Sequence, residues 1–385
     1  MAVPGASPRN HVGLNLVYLV PGETGGTETY ARELIPALVA AAPDLRLTAF
    51  VNRETAGSPG PWSDLIPSVT VPVRARNRVD WVRGEQSLLP GLARRAGVQL
   101  VHSLASTAPA RGRFLRLTTI HDLHYRTLPD AHFGLLGLGM RVLVPLAARR
   151  SERVITCSRA SRDELVELLH LLGERIDVVP LGTGRTPVPD PMSTAEVRFR
   201  HELGEGPVLL SVSAKRPHKN LGRLLEALAL VGPAERPVLV MPGYPTPHEA
   251  ELREQARRLG LETHTRFPGW TSDSELEGLY AAAAGFVFPS LAEGFGLPVL
   301  EAMRRGLPVA CSDRGAVAEV AGAAALLFDP TSPRAIADSL RRLLARPGEA
   351  EALRRAGRDR AAEFTWERTA RGTLDSYRRV LASAR

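Results

Sequence analysis

Cysteine is scarce: the 385 residues hold two, Cys157 and Cys311, far apart in the chain. That speaks against a disulfide framework or a cysteine-based zinc site and fits a reducing compartment. No segment reaches the ~18 uninterrupted apolar residues that a membrane span needs. The opening MAVPGASPRN lacks the apolar core of a signal peptide, and a cytoplasmic protein is the expectation. Asp-x-Asp occurs nowhere, so a metal-bridged diphosphate is not indicated. The turn PGETGGTE does not have the G-x-G-x-x-G spacing of a nicotinamide dehydrogenase. Lysine is nearly missing as well. Of 49 basic residues only Lys215 and Lys219 are lysines, and they lie within five residues of each other. A compact ammonium differs from a planar guanidinium as a phosphate ligand, so this cluster marks a place to look.

What is present describes a globular chain long enough for two domains, 44% apolar and 23% charged. The net charge is +8, and residues 1–187 hold 22 Arg against 16 acidic residues. Such an excess suits phosphates or anionic lipid, and equally an Arg-rich surface. No helix-turn-helix, zinc finger or RNA-binding motif accompanies it, so nucleic acid is not an expected partner. The stretch FGLLGLGMRVLVPLAARR (133–150) is open to two readings, a helix at an anionic membrane surface or a core helix.

Short apolar runs alternate with helical patterns. Strands are expected at 12–20, 45–51, 98–103, 116–122, 152–158 and 176–182, with a helix at 27–42 and another starting near Ser161. The Pro- and Gly-rich stretch 183–192 reads as a linker. The pattern restarts with strands at 207–214, 237–243, 263–269, 284–290, 307–313 and 324–330. Continuous apolar strands separated by helices imply parallel sheets covered on both faces. The expected domains are 1–187, 188–364 and a terminal helix, 365–385, packing back on the first. That helix has Thr365 as N-cap and a stripe of Trp366, Ala370, Leu374, Tyr377 and Leu381.

The polar and Gly-rich clusters sit at carboxyl ends of strands, where open parallel sheets bind ligands. In PSLAEGFGLPVLEAM (289–303) a strand ends, Gly294 and Gly296 follow, and Pro298 opens a helix whose start attracts anions. Glu293 and Glu301 can border one pocket there and accept hydrogen bonds from hydroxyls. In SAKRPHKN (213–220), Lys215, Arg216, His218 and Lys219 can neutralise a diphosphate. Gly25 and Gly26 can let backbone N–H groups meet a phosphate or sugar. His121 and Asp122 end a strand, and His121 can bond sugar hydroxyls or a phosphate. His124 and His132 lie near, but with so few carboxylates they make a poor metal site.

Together GGTETY, TIHDL, the KRPHKN loop, RFPGWTSDSELEGLYAAA and the pair of glutamates separated by seven residues in EGFGLPVLE resemble the retaining glycosyltransferases of family 4, group 1. TIHDL with a downstream Pro is similar to their mannosyltransferase-like branch. The resemblance covers nearly the whole chain. It implies the α/β GT-B architecture, two Rossmann-like doubly wound parallel sheets facing across a cleft, with the acceptor in the first domain and a nucleotide-sugar donor in the second. It implies that Glu301 holds the donor ribose, Glu293 and the N–H groups around Phe295, Gly296 and Leu297 the transferred sugar, and Lys219 the diphosphate. His121 lies by the donor sugar, Gly26 by the diphosphate and Phe267 by the base. The expected acceptor is a hydroxyl of a glycan, lipid-linked or small molecule, and the resemblance implies no need for a metal ion or cofactor. The chain departs from the pattern at Ala214, where many members carry Arg; Lys215 and Arg216 are the available substitutes. A non-catalytic sugar-nucleotide binder and a sugar-nucleotide epimerase share this architecture and stand as rivals.

Overall fold

The computed structural model describes residues 10–128, 134–184 and 187–383, with the backbone alone for 134–138. His132, the opening nine residues, and residues 185 and 186 of the linker stretch lie outside them, as does the first residue of the apolar stretch 133–150. The chain divides into two compact units, Met1–Gly182 with Thr365–Arg385, and Thr183–Phe364.

The first unit holds a seven-stranded sheet. Its strands are β1 (His11–Leu16), β2 (Arg46–Val51), β3 (Ser68–Thr70), β4 (Leu100–Ser103), β5 (Leu115–Thr119), β6 (Arg153–Thr156) and β7 (Ile176–Val178). They run parallel in the order β3-β2-β1-β4-β5-β6-β7. The order reverses between β1 and β4, the switch point where such sheets open a crevice. Every residue of β1 and β4 is buried, as in strands covered on both faces. The C-terminal half of the helix Gly134–Arg150 is core: Val144 and Ala148 pack with Ile120, Leu123, Val154 and Leu165. The terminal helix Trp366–Ala382 packs against the helix Gly26–Ala41 and β5. Thr365 caps it by accepting from the N–H of Arg368, and Ala370, Thr373, Leu374, Tyr377 and Val380 are buried. Leu381 is only half-buried, so Val380 closes the stripe instead.

The second unit holds β8 (Val208–Leu210), β9 (Val238–Pro242), β10 (Thr265–Gly269), β11 (Gly285–Phe288), β12 (Val309–Ser312) and β13 (Leu326–Phe328). All pair in parallel, in the order β10-β9-β8-β11-β12-β13. Leu224, Leu225 and Leu228 of the helix Leu221–Ala229 meet Leu209, Leu239 and Val287 of the sheet, together with Ile336 and Leu340 of the helix Pro333–Ala345. Here the switch point is β8/β11, and the loops leaving these two strands carry the lysine cluster and the glutamate motif.

Candidate active site

The loop after β8 is fastened to the loop after β11. Asn220, in the left-handed region at φ 60°, begins the helix Leu221–Ala229 and donates from Nδ2 to the carbonyls of Pro289 (3.0 Å) and Pro330 (2.7 Å). The carbonyl of His218 accepts from the N–H of Leu291 (2.8 Å) and from the Ser290 hydroxyl (3.2 Å). These ties bring Lys219 Nζ to 2.5 Å from Glu293 Oε1 and over the Phe288 ring. Both side chains of the pair are mostly shielded, at 17% and 12% exposure, so their attraction is less screened than that of a surface pair.

Gly296 precedes the helix Leu297–Arg304 at φ 119°, backbone that an L side chain rarely adopts. Pro298 sits in its first turn, and Phe295 is buried against Phe364. Along the same helix, Glu301 Oε2 accepts from the Tyr280 hydroxyl at 3.2 Å. Burial, reinforced by Glu301, pushes the Tyr280 phenol well above its ordinary pKa, so it stays protonated and donates. The Arg305 guanidinium lies 4.5 Å from the centre of the Tyr280 ring and pairs with Glu277. Gly184, at φ 72°, abuts the Glu301 carboxylate so closely that a Cβ there would collide with it. Neither Tyr280 nor Gly184 stood out in the sequence; only contacts across about 20 and 117 residues reveal them.

Lys215 and Arg216 part company. Lys215 is fully buried and donates to the carbonyls of Ser213 (3.1 Å) and Gly243 (3.4 Å). Burial pushes its pKa down to about 8. The side chain of Arg216 is exposed, so of the two substitutes for the missing Arg it is the one open to solvent. Phe267 is half-buried in β10, its ring 4.7 Å from the Arg253 guanidinium and its carbonyl accepting from Arg253 at 3.1 Å. Just beyond β10 and β9, Trp270 and Tyr244 stand half-exposed with ring centres 6.5 Å apart. In a chain only 5% aromatic, that pair at a sheet's carboxyl edge is a signal the sequence reading passed over.

In the first unit, Gly25 (φ 58°) precedes the helix Gly26–Ala41. Gly26 has an ordinary φ, and a Cβ there would meet nothing within 4 Å. Packing does not demand glycine at 26. His121, past the end of β5, lies edge-on to Tyr30 at 4.9 Å, and its Nε2 is 3.1 Å from the carbonyl of Leu104. A carbonyl only accepts, so Nε2 carries the proton of the neutral ring and Nδ1 is left as an acceptor. Burial lowers the pKa of His121, with Asp122 opposing the shift in part, which keeps the ring neutral. Asp122 itself accepts from the N–H of His124 at 3.0 Å. Behind His121, the Tyr30 hydroxyl is 3.3 Å from Thr119 Oγ1, which is 2.8 Å from His102 Nε2; His102 Nδ1 is 2.8 Å from the Tyr377 hydroxyl. Burial pushes the pKa of His102 down to about 3. Among the described residues no group of three or more His, Cys, Asp or Glu is arranged to hold a metal ion. Among them, too, no helix is long and apolar enough to cross a membrane.

Two family descriptions match the chain: Glycosyltransferase Family 4 over residues 24–183 and Glycosyl transferases group 1 over residues 193–360. O-antigen chain mannosyltransferase B of Escherichia coli is 32% identical over 266 residues, 68% of this chain and 70% of that protein. The chain belongs to the group 1, family 4 glycosyltransferases. Solved structures with the same fold include sucrose-phosphate synthase from Thermosynechococcus elongatus (TM-score 0.78, 23% identity, covering 97% of this chain and 100% of that one). Another is the Anabaena protein HepE in complex with UDP-glucose (TM-score 0.71, 20% identity, covering 95% and 99%). At these identities the likeness carries the GT-B fold, two Rossmann-like parallel-sheet domains. The glycosyltransferase motifs read from the sequence thus fall on the loops leaving β1, β5, β8, β10 and β11.

Proposed function

We propose that this glycosyltransferase moves a hexose, mannose-like in preference, from a nucleotide-diphosphate sugar to a hydroxyl of a glycan, lipid-linked or small-molecule acceptor, with retention and without a metal ion. One observation carries the reading: Lys219 and Glu293, 74 residues apart in sequence, are in contact at the carboxyl edge of the second sheet. An ammonium and a carboxylate held together beside a helix start suit a diphosphate and the sugar it carries. The arriving diphosphate draws the ammonium of Lys219 and leaves Glu293 to accept from a sugar hydroxyl. N–H groups at Phe295, Gly296 and Leu297 flank that sugar. Glu301, steadied by Tyr280, holds the ribose; the base packs by Phe267; Gly25 and Gly26 let the backbone approach the diphosphate. Arg216 adds charge at the loop, and Lys215 keeps its shape from within. His121 Nδ1 accepts from a hydroxyl of the donor sugar.

In the transfer step the bond from the anomeric carbon to the leaving phosphate oxygen breaks. The acceptor oxygen bonds to that carbon on the same face, and its proton goes to the leaving phosphate. Lys219 stabilises the charge that develops there. The mannose preference is supported by the Escherichia coli relative, and the nucleotide-sugar donor by the UDP-glucose complex of HepE. The first unit is proposed to hold the acceptor, in a cytoplasmic enzyme whose positive charge favours contact with an anionic membrane.

The test is a screen of nucleotide sugars by thermal shift, where a donor at 100 times its Kd adds ~2.7 kcal/mol. Transfer assays with and without EDTA follow, with the product anomer read by NMR. The expected result is one stabilising donor, transfer that survives EDTA, and a retained anomer. An inverted product, loss of activity restored by magnesium or manganese, or epimerisation of the donor sugar with no acceptor present would contradict the proposal.

A further inference from the structure

A cavity of about 640 Å³ lies at the carboxyl edge of the first sheet, lined by Arg53, Glu54, Arg74, Arg76 and Asn77. None of these belongs to the proposed donor site. Arg53 and Glu54 follow β2, and the other three follow β3. The two loops are fastened together. Glu54 accepts from the backbone N–H groups of Ala75 (3.1 Å) and Arg76 (3.2 Å), and the N–H of Arg53 donates to the carbonyl of Val73 (3.0 Å). The segment after β1 is tied in as well, since buried Asn52 donates to the carbonyls of Val17 (2.9 Å) and Leu19 (2.6 Å).

The three guanidinium groups are not equivalent. Arg76 Nε donates to Glu23 at 2.9 Å, which joins the cavity to the glycine loop ahead of the helix Gly26–Ala41. The side chains of Arg53 and Arg74 have no hydrogen-bond or ion-pair partner among the described residues. Solvated arginines are ordinary on a surface. What distinguishes this pair is that both nearby carboxylates are engaged elsewhere: Glu54 holds the N–H groups of Ala75 and Arg76, and Asp80, whose charge reaches Arg53, accepts from the N–H of Arg74 and from the Arg83 guanidinium. Two unpaired forks of N–H donors facing one cavity match a tetrahedral dianion, which accepts bidentate bonds from each.

We infer that this cavity binds a phosphate or diphosphate group of the acceptor. The acceptor class is then a phosphorylated sugar or polyol, or a lipid-linked diphosphate sugar. The inference rests on the donor being bound by the second unit, as proposed above.

Equilibrium dialysis with labelled inorganic pyrophosphate tests it, with UDP and GDP each held at a concentration that just fills the donor site. Wild type is expected to hold pyrophosphate under these conditions. The double variant Arg53→Gln/Arg74→Gln should bind it about tenfold more weakly or worse. Lys219→Ala and Arg258→Gln, an exposed arginine elsewhere, should bind it as wild type does. Pyrophosphate that the double variant holds as well as wild type overturns the inference. Transfer assays separate the two sources: glucose 6-phosphate against glucose, and a short polyprenyl diphosphate-linked sugar against the matching octyl glycoside. The phosphorylated member that is used should lose its advantage about tenfold in the double variant, with acceptor-free donor hydrolysis unchanged. Equal use of the phosphorylated and unphosphorylated members overturns the assignment. Failure of the donor reading has its own sign: Lys219→Ala would leave donor hydrolysis intact.

Discussion

In the second unit the polar groups meet as charge pairs, Lys219 on Glu293 at the carboxyl edge of the sheet and Arg305 on Glu277 at the far end of the helix Leu297–Arg304. At the same edge of the first sheet they meet as a neutral chain running from Tyr30 through Thr119 and His102 to Tyr377, with His121 packed edge-on against it. Burial keeps both histidines uncharged and both tyrosines protonated. The contrast fits the division of labour proposed here. A diphosphate needs preset charge that can exchange partners, whereas sugar hydroxyls need neutral donors and acceptors held in one orientation.

The largest effect should come from removing charge on the second edge. Lys219→Ala is expected to lower turnover by about 10² or more, since losing one such donor costs ~2.7–4 kcal/mol in the transition state. Steady-state kinetics check this, and turnover within about threefold of wild type would mean that the pair plays no part in transfer.

Acid should strike the first unit. The unfolded His102 imidazole takes up its proton near 6.5, while the folded one resists until about 3. The unfolded state therefore binds more protons in that window, and stability falls as pH drops through it. The loss attributable to His102 should reach about 2–3 kcal/mol by pH ~4.5. Tryptophan fluorescence reports mainly on this unit, which holds Trp62, Trp81 and Trp366 and leaves Trp270 to the other. His102→Gln should flatten the acid limb of that signal; an unchanged slope would show that His102 is not held neutral.

Lys215 gives the second unit the opposite sensitivity. Unfolded, its ammonium keeps its proton to 10.5, and buried it releases it at about 8. Stability should rise with pH through that interval, by about 2 kcal/mol at pH ~9.5. Lys215→Met should abolish the rise, as read by calorimetry across the interval, and a rise that persists would place the titrating group elsewhere.

A smaller effect should follow from Gly184→Ala. The added Cβ presses on Glu301 from a backbone at φ 72°, and nucleoside-diphosphate affinity should fall about tenfold. Unaltered affinity would show that Glu301 can move without cost.

Strands were legible where apolar stretches are buried on both faces, as in β9 and β11, and each of the twelve expected stretches contains or overlaps a strand. β3 was not, because its three residues form a partly exposed edge with no apolar run. Runs overshot their strands because buried chain continues past the last ladder bond, as at Val17 to Val20 after β1. The helix Arg159–Leu169 starts ahead of Ser161 because Ser158 is the cap, accepting from the N–H of Ser161. In the site, Lys219 and Glu293 were legible as motifs, since each follows a strand next to the switch point. Tyr280, Gly184 and Asn220 were not, because each acts through a neighbour that only the fold brings near. The inward turn of Lys215 is likewise invisible in a basic loop, where one lysine looks like the next.

The two glutamates are proposed to divide the donor between them. Glu301→Gln should weaken free nucleoside diphosphate and donor alike, because the ribose it is proposed to hold does not react. Glu293→Gln should leave diphosphate affinity nearly unchanged and lower turnover, because charge develops at the sugar carbon during transfer. Nucleoside-diphosphate affinity measured on both variants beside donor kinetics is the most direct test. A loss of affinity is expected for Glu301→Gln alone. Equal losses in the two variants, or a glycosyl-enzyme trapped at Glu293, would contradict it.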